Sequence, residues 1–253
     1  MSLEGILSRR RQLAQSIFVT TGQGYTDRSC QQISICGKQL VLDPSGALYM
    51  PSARVVVLSD LVTNDRSGQV ELKRRKIHRL SEKMALLDDV LQRFQPEHIV
   101  ALGAAPIRRD EFDDLEGAAH EMFFSYFEQY NWHWVGPVLD DEPGCDADVE
   151  AHDVLEVSGF MLRHRPILGP VTHEISGGLN PAAFIGAPEY AIRRPCFVSN
   201  GMRLVLPKFG AYRGGENVLD NEFKSIFTDD GLQVWMLGYE GVQPVACRQL
   251  RSD

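Results

Sequence analysis

Few side chains in this 253-residue sequence are placed to do chemistry, and those few are carboxylates and imidazoles. Asp60 follows the apolar run Val55-Val56-Val57-Leu58, and His164 stands in His164-Arg165-Pro166. Asp140 and Asp141 open an acidic run through Glu142-Pro143-Gly144, His173 precedes Glu174, and Asp65 is a further nearby carboxylate. Carboxylate and imidazole together form the ligand set of hydrolytic metal ions, which lower the pKa of a bound water. Each also has a plain structural reading. Asp60 can cap a turn, His164 can satisfy a backbone carbonyl, His173 can pack half-buried, and 140–144 reads as a solvated loop. His78, His98, His120, His133 and His152 are scattered without ligand spacing. No Ser-His-Asp arrangement or nucleophile elbow is visible.

The elements that must position these groups are read from hydrophobic periodicity. Short apolar segments at 33–36, 40–42 and 48–50, separated by Gly37-Lys38 and Asp43-Pro44-Ser45-Gly46, predict strands joined by turns. Segments 55–58, 98–102 and 132–135 are apolar on both faces and predict buried strands. They end at Ser59-Asp60, Gly103-Ala104 and Gly136-Pro137. Leu80, Met84, Leu87, Leu91 and Phe94 recur at helical spacing, as do Phe112, Leu115, Ala119, Met122, Phe123 and Tyr126. The aromatic stripe of the second helix reads as packing against a sheet rather than a ligand groove. Strand–helix–strand alternation predicts crossover units and parallel strands, whose carboxyl ends gather ligands. Beyond them, strands are expected at 174–176, 191–198, 203–206, 234–237 and 242–246.

Residues 1–37 read as a partly helical, flexible extension, with a short helix over 6–19, and 38–253 as a single domain. Thr20-Thr21-Gly22-Gln23-Gly24 lacks the preceding strand and Gly-Lys-Ser/Thr ending of a phosphate loop and reads as a linker. Hydrophobic content of 43% with 24% charge is that of a globular chain. No apolar run is long enough to span a bilayer. Arg9-Arg10-Arg11 leads into glutamines rather than an apolar core, so a cytoplasmic location is expected. The net charge of −8 argues against strong nucleic-acid binding. The basic runs at Arg9 to Arg11 and at Lys73-Arg74-Arg75-Lys76 read as solvated helix starts. Cys30, Cys36, Cys145, Cys196 and Cys247 form no C-x-x-C pair, which predicts reduced thiols.

Gly177-Gly178-Leu179-Asn180-Pro181 is read together with Phe209-Gly210-Ala211-Tyr212-Arg213-Gly214-Gly215-Glu216-Asn217-Val218-Leu219. With Asp43-Pro44-Ser45-Gly46-Ala47-Leu48-Tyr49 and Arg203-Leu204-Val205-Leu206-Pro207, these blocks resemble the ligase-associated PdeM group of calcineurin-like metallophosphoesterases. The resemblance runs from roughly Leu40 to Leu219. It implies an α/β, four-layer αββα sandwich, with two mixed β-sheets flanked by helices. It also implies a phosphodiesterase or nuclease ancestry, in a bacterial group associated with a DNA ligase and helicase repair cassette.

The motif positions depart from that pattern. Asp-x-His falls on Asp60-Leu61-Val62, keeping the aspartate and losing the imidazole. Gly-Asp, whose carboxylate bridges both ions, falls on Gly103-Ala104, and Gly-Asn-His-Asp falls on Gly136-Pro137-Val138-Leu139. The lone histidine matches His164, and Gly-His-x-His falls on Gly178 and Asn180. Asp60, His164 and Asn180 are the residual metal candidates, too few for a site that uses three or four protein ligands. No cofactor is therefore expected. The sequence predicts a catalytically degenerate member with a binding or scaffolding role, its partner a protein of the repair cassette. The alternative is an active hydrolase with a rebuilt Mn or Zn site, one that a single ion could satisfy, using Asp60, His164 and the Asp140–Asp141 loop, with His173 as a further candidate. A third reading makes the vacated cleft a sensor for a nucleotide or phosphate.

Overall fold

A computed structural model describes residues 29–61, 70–103, 125–126, 128–136, 150–186, 192–211, 213–227 and 231–252. The chain first lays down β1 (Gln31–Ile35), β2 (Lys38–Leu42), β3 (Leu48–Met50) and β4 (Val55–Ser59) as an antiparallel run. The β2–β3 turn is built by Asp43, whose carboxylate accepts the Ser45 N–H (2.9 Å) and hydroxyl (2.6 Å). Asp43 is 1% exposed and ion-paired with Arg93, which fastens this turn to the end of α1 (Val70–Phe94).

From β4 the topology becomes parallel. β5 (His98–Leu102) pairs with β4, β6 (Asn131–Val135) with β5, and β7 (Glu150–His152) with β6. Each strand of this seven-stranded sheet lies beside its neighbour in sequence. Parallel strands need a crossover that covers a face of the sheet, and α1 supplies one. Met84, Leu87 and Leu91 of its stripe are buried against Val56, Leu58, Ile99, Ala101, Trp132 and Trp134.

The second sheet contains β8 (Leu155–Val157), β9 (Phe160–Arg163), β10 (Glu174–Ser176), β11 (Pro181–Ile185), β12 (Ile192–Ser199), β13 (Arg203–Val205), β14 (Glu216–Asn217), β15 (Gln233–Gly238) and β16 (Gly241–Val245). β9, β10 and β13 run parallel, and their neighbours are mostly antiparallel. Its inner face packs Phe160, Leu162, Ile175, Phe197 and Leu204 against Leu42, Val57, Val100 and Leu102 of the first sheet. Its outer face packs Val198 and Val205 against Phe223, Ile226 and Phe227, on and just after α2 (Asn221–Lys224). Three apolar cores thus separate four layers, helix, sheet, sheet and helix. This is the αββα sandwich that the sequence leads one to expect.

One boundary changes. The extension read over 1–37 ends earlier, because Gln31–Ile35 pairs with β2 across the Cys36-Gly37 turn. Ile33 and Ile35 alternate with exposed residues and enter the core between the sheets, at 7% and 0% exposure. A period-two pattern beside a tight turn makes this segment an edge strand of the domain. Residues 1–28, with the helix expected over 6–19, lie outside the described residues, as does most of the helix expected over 112–126. Of that helix, Tyr126 is described. It is buried and donates its hydroxyl to Asp88 of α1 at 2.6 Å.

Candidate functional site

The carboxyl ends of β4, β9 and β10 meet at one end of the sandwich. Phe209 N–H donates to Ser59 O at 2.8 Å, tying the segment after β13 to the same place. Gly177 lets the two sheets approach closely. A β-carbon there would lie closer to the Ser59 hydroxyl than any real β-carbon comes, so only glycine allows the sheet ends to touch.

Asp60 sits at this junction with φ of +50°, a left-handed conformation that Asp tolerates better than most residues. Its N–H donates to Leu102 O at 2.8 Å, and its carboxylate receives the Ser59 hydroxyl at 3.1 Å. Across the cleft, His164 Nε2 stands 3.5 Å from Asp60 Oδ1, with the two side chains 21% and 23% exposed. Burial pushes the Asp60 carboxyl up. The contact with His164, the Ser59 hydroxyl and the nearby Lys208 charge outweigh that effect and hold it below its ordinary value.

Gly178 and Asn180 line the same cleft. Gly178 has φ of +72°, and a β-carbon on it would stand 2.7 Å from His164 O and 3.1 Å from His164 Nε2. The missing side chain is therefore what lets the imidazole reach Asp60. Asn180, also left-handed at φ +47°, accepts the Lys208 N–H on Oδ1 at 3.3 Å and the Glu216 N–H on its carbonyl at 2.9 Å.

Asp60, His164, Gly178 and Asn180 thus come together as one site. His173 does not join them. It precedes β10 and so lies at the opposite end of the strand, exposed, with its ring 5.9 Å from that of Phe160. Val62, Ala104, Pro137, Val138, Asp140 and Asp141 lie outside the described residues. Sequence reasoning missed Lys83, Lys208 and Ser59. Lys83 Nζ donates to the carbonyls of Asp60 (2.8 Å) and Leu61 (2.7 Å). A lysine on the polar side of an amphipathic helix carries no sequence signal that sets it apart, whereas Ser59 beside Asp60 at a strand end did.

The described donors do not fit a pair of transition-metal ions. The imidazole and the carboxylate face each other, the amide oxygen is occupied by a backbone N–H, the Lys83 ammonium sits on the Asp60 carbonyl, and the Lys208 charge acts on the carboxylate. Among the described residues no group of three or more His, Cys, Asp or Glu side chains converges. A two-ion centre requires a ligand shared between the ions and an open coordination position on each. What the arrangement does provide is a carboxylate-oriented imidazole in a glycine-lined cleft.

These features define the class of fold, a four-layer αββα sandwich whose strand ends bring Asp60 and His164 together. Among solved structures the chain is similar to the Pseudomonas putida nuclease MPE, with a TM-score of 0.60 and 20% sequence identity, over 85% of this chain and 100% of that one. At that identity the likeness is one of fold. No protein-family model matches the chain, and no curated protein matches it. No described helix is long and apolar enough to cross a membrane.

Proposed function

We propose that this chain is a metallophosphoesterase-like protein that has given up two-metal hydrolysis for binding. The observation that carries this reading is the contact between Asp60 and His164, the ligand-type side chains kept at the motif positions, which are directed at each other. With Ala104 at the bridging position and Val138 at the leaving-group position, the sequence supplies neither the shared ligand nor the general acid of the motifs it resembles. Phosphate-ester hydrolysis is among the slowest uncatalysed reactions, so partial loss of such machinery removes turnover rather than tuning it. The role we assign is a cytoplasmic, bacterial binding or scaffolding one, with a protein of the ligase and helicase repair cassette as partner, in line with the PdeM-like motif blocks.

The test is elemental analysis of tag-free protein, together with hydrolysis of a generic phosphodiester and of nicked DNA in Mn²⁺. The expected outcome is no stoichiometric Mn, Zn or Fe and no turnover above buffer. Two transition metals per chain, or turnover abolished by Asp60→Ala or His164→Ala, would instead establish the rebuilt-site hydrolase.

A further inference from the structure

Two lysines from different elements close on the Asp60 end of β4. Lys83 reaches it from α1 and places its ammonium on the carbonyl oxygens of Asp60 and Leu61, at 2.8 and 2.7 Å. Its stem runs over Gly210. A β-carbon built there would stand 3.1 Å from Lys83 Cγ and 3.4 Å from Leu86 Cδ1, at a φ of +70°. Gly210 therefore keeps open the passage that Lys83 uses. This gives Phe209-Gly210-Ala211 a role that the binding reading had left without one. Lys208, two residues before Gly210, holds Asn180 Oδ1 through its own N–H and adds its charge to those acting on the Asp60 carboxylate. The Phe209 N–H bond to Ser59 O fixes that segment against the strand end.

A half-buried carboxylate among glycines at the ends of parallel strands is an attractive place for a divalent ion. The ammonium of Lys83, fixed on two carbonyls, and the nearby charge of Lys208 reverse that preference, because like-charge repulsion is doubled against a divalent ion and partial burial limits its screening. We propose that Lys83 and Lys208 are the resident cations of this site and the residues that exclude divalent ions from it. The inference rests on the reading that the site has left metal chemistry, and it names the side chains that hold it there.

Mn²⁺ binding followed by electron paramagnetic resonance on the full chain tests it, comparing wild type with Lys208→Gln and Lys83→Gln, each also in an Asp60→Asn background. Neutralising either lysine raises Mn²⁺ affinity by about tenfold or more, the scale of one charge removed near an ion in a partly buried site. The gain disappears with Asp60→Asn, because Asp60 is the ligand being released. No gain, or a gain that survives Asp60→Asn, overturns the proposal. Lys83→Gln also removes hydrogen bonds to two carbonyls, so if it does not fold, Lys208→Gln alone decides the matter. Tight binding of two Mn²⁺ by the wild type would overturn the binding reading. A metal-free wild type with no gain in Lys208→Gln would overturn this inference alone.

Discussion

At Asp60 the Ser59 hydroxyl, the His164 contact and the Lys208 charge converge on one carboxylate carried by a left-handed backbone. Its lowered pKa means that the folded state prefers the ionised form. The stability this supplies is complete above the unfolded-state pKa of about 3.9 and is lost as pH falls through the lower folded value. Asp60→Asn should therefore be less stable than wild type at neutral pH, and the difference should shrink on acidification below about pH 4. Urea denaturation across that range measures it, and parallel stability curves for the two chains would refute the argument. The site was legible where a residue type broke a motif, as at Gly178 and Asn180. It was illegible where the structure uses ordinary surface residues, as at Lys83 and Lys208. Geometry adds something that motif reading could not supply. Gly178→His is not a simple restoration of a metal ligand, because its β-carbon would meet the carbonyl and the imidazole of His164.

Among the elements, β4 and β1 show what local pattern makes legible. β4 is buried at every position, and β1 alternates. The segments not anticipated were β7, β8, β9, β11 and β14. β11 begins with Pro181, a residue that ordinarily counts against a strand interior, and β14 has only two residues. β8 and β9 form a hairpin across Ser158-Gly159, a turn signal the sequence did carry, whereas β14 pairs with the distant β11, which no local pattern announces. The same holds for the buried pair Arg203 and Glu174, at 1% and 0% exposure, which joins β13 to β10. Arg203 also donates to the carbonyls of Ile167, Gly169 and Ile226, and Glu174 accepts the Ile167 N–H at 3.2 Å. The pair thereby clamps the loop that leaves His164 onto the outer face of the sheet. Arg203→Ala leaves the buried Glu174 carboxylate with only the longer, 3.7 Å contact to Arg163 as an ion pair and should cost about 3–5 kcal/mol. Arg203→Met combined with Glu174→Met should recover much of that loss, since the buried carboxylate leaves with its partner and the charge that loses an ion pair, Arg163 at 3.7 Å, is 26% exposed. Chemical denaturation of the single and double variants decides it. A loss under about 1 kcal/mol in Arg203→Ala would show that the clamp contributes little.

For the molecule as a whole, the fold and the strand-end site depend on different residues. The sandwich is specified by the apolar faces that fill its three cores, from Ile35, Val57 and Phe197 between the sheets to Leu87 and Phe223 beneath the helices. The site is specified by a few polar side chains at strand ends, which contribute little burial. Substituting a ligand position there leaves the cores as they were. Stability should therefore come from apolar burial, not from coordination, unlike small metal-dependent domains in which ion binding supplies the folding free energy. Treating the purified chain with a strong chelator should leave its melting temperature where it was, within about 1–2 °C, given that 1 kcal/mol shifts a domain of this size by about 2–4 °C. Differential scanning calorimetry before and after chelation makes the measurement. A fall of many degrees, reversed by adding back a single type of ion, would mean that a structural metal holds the fold and that burial alone does not.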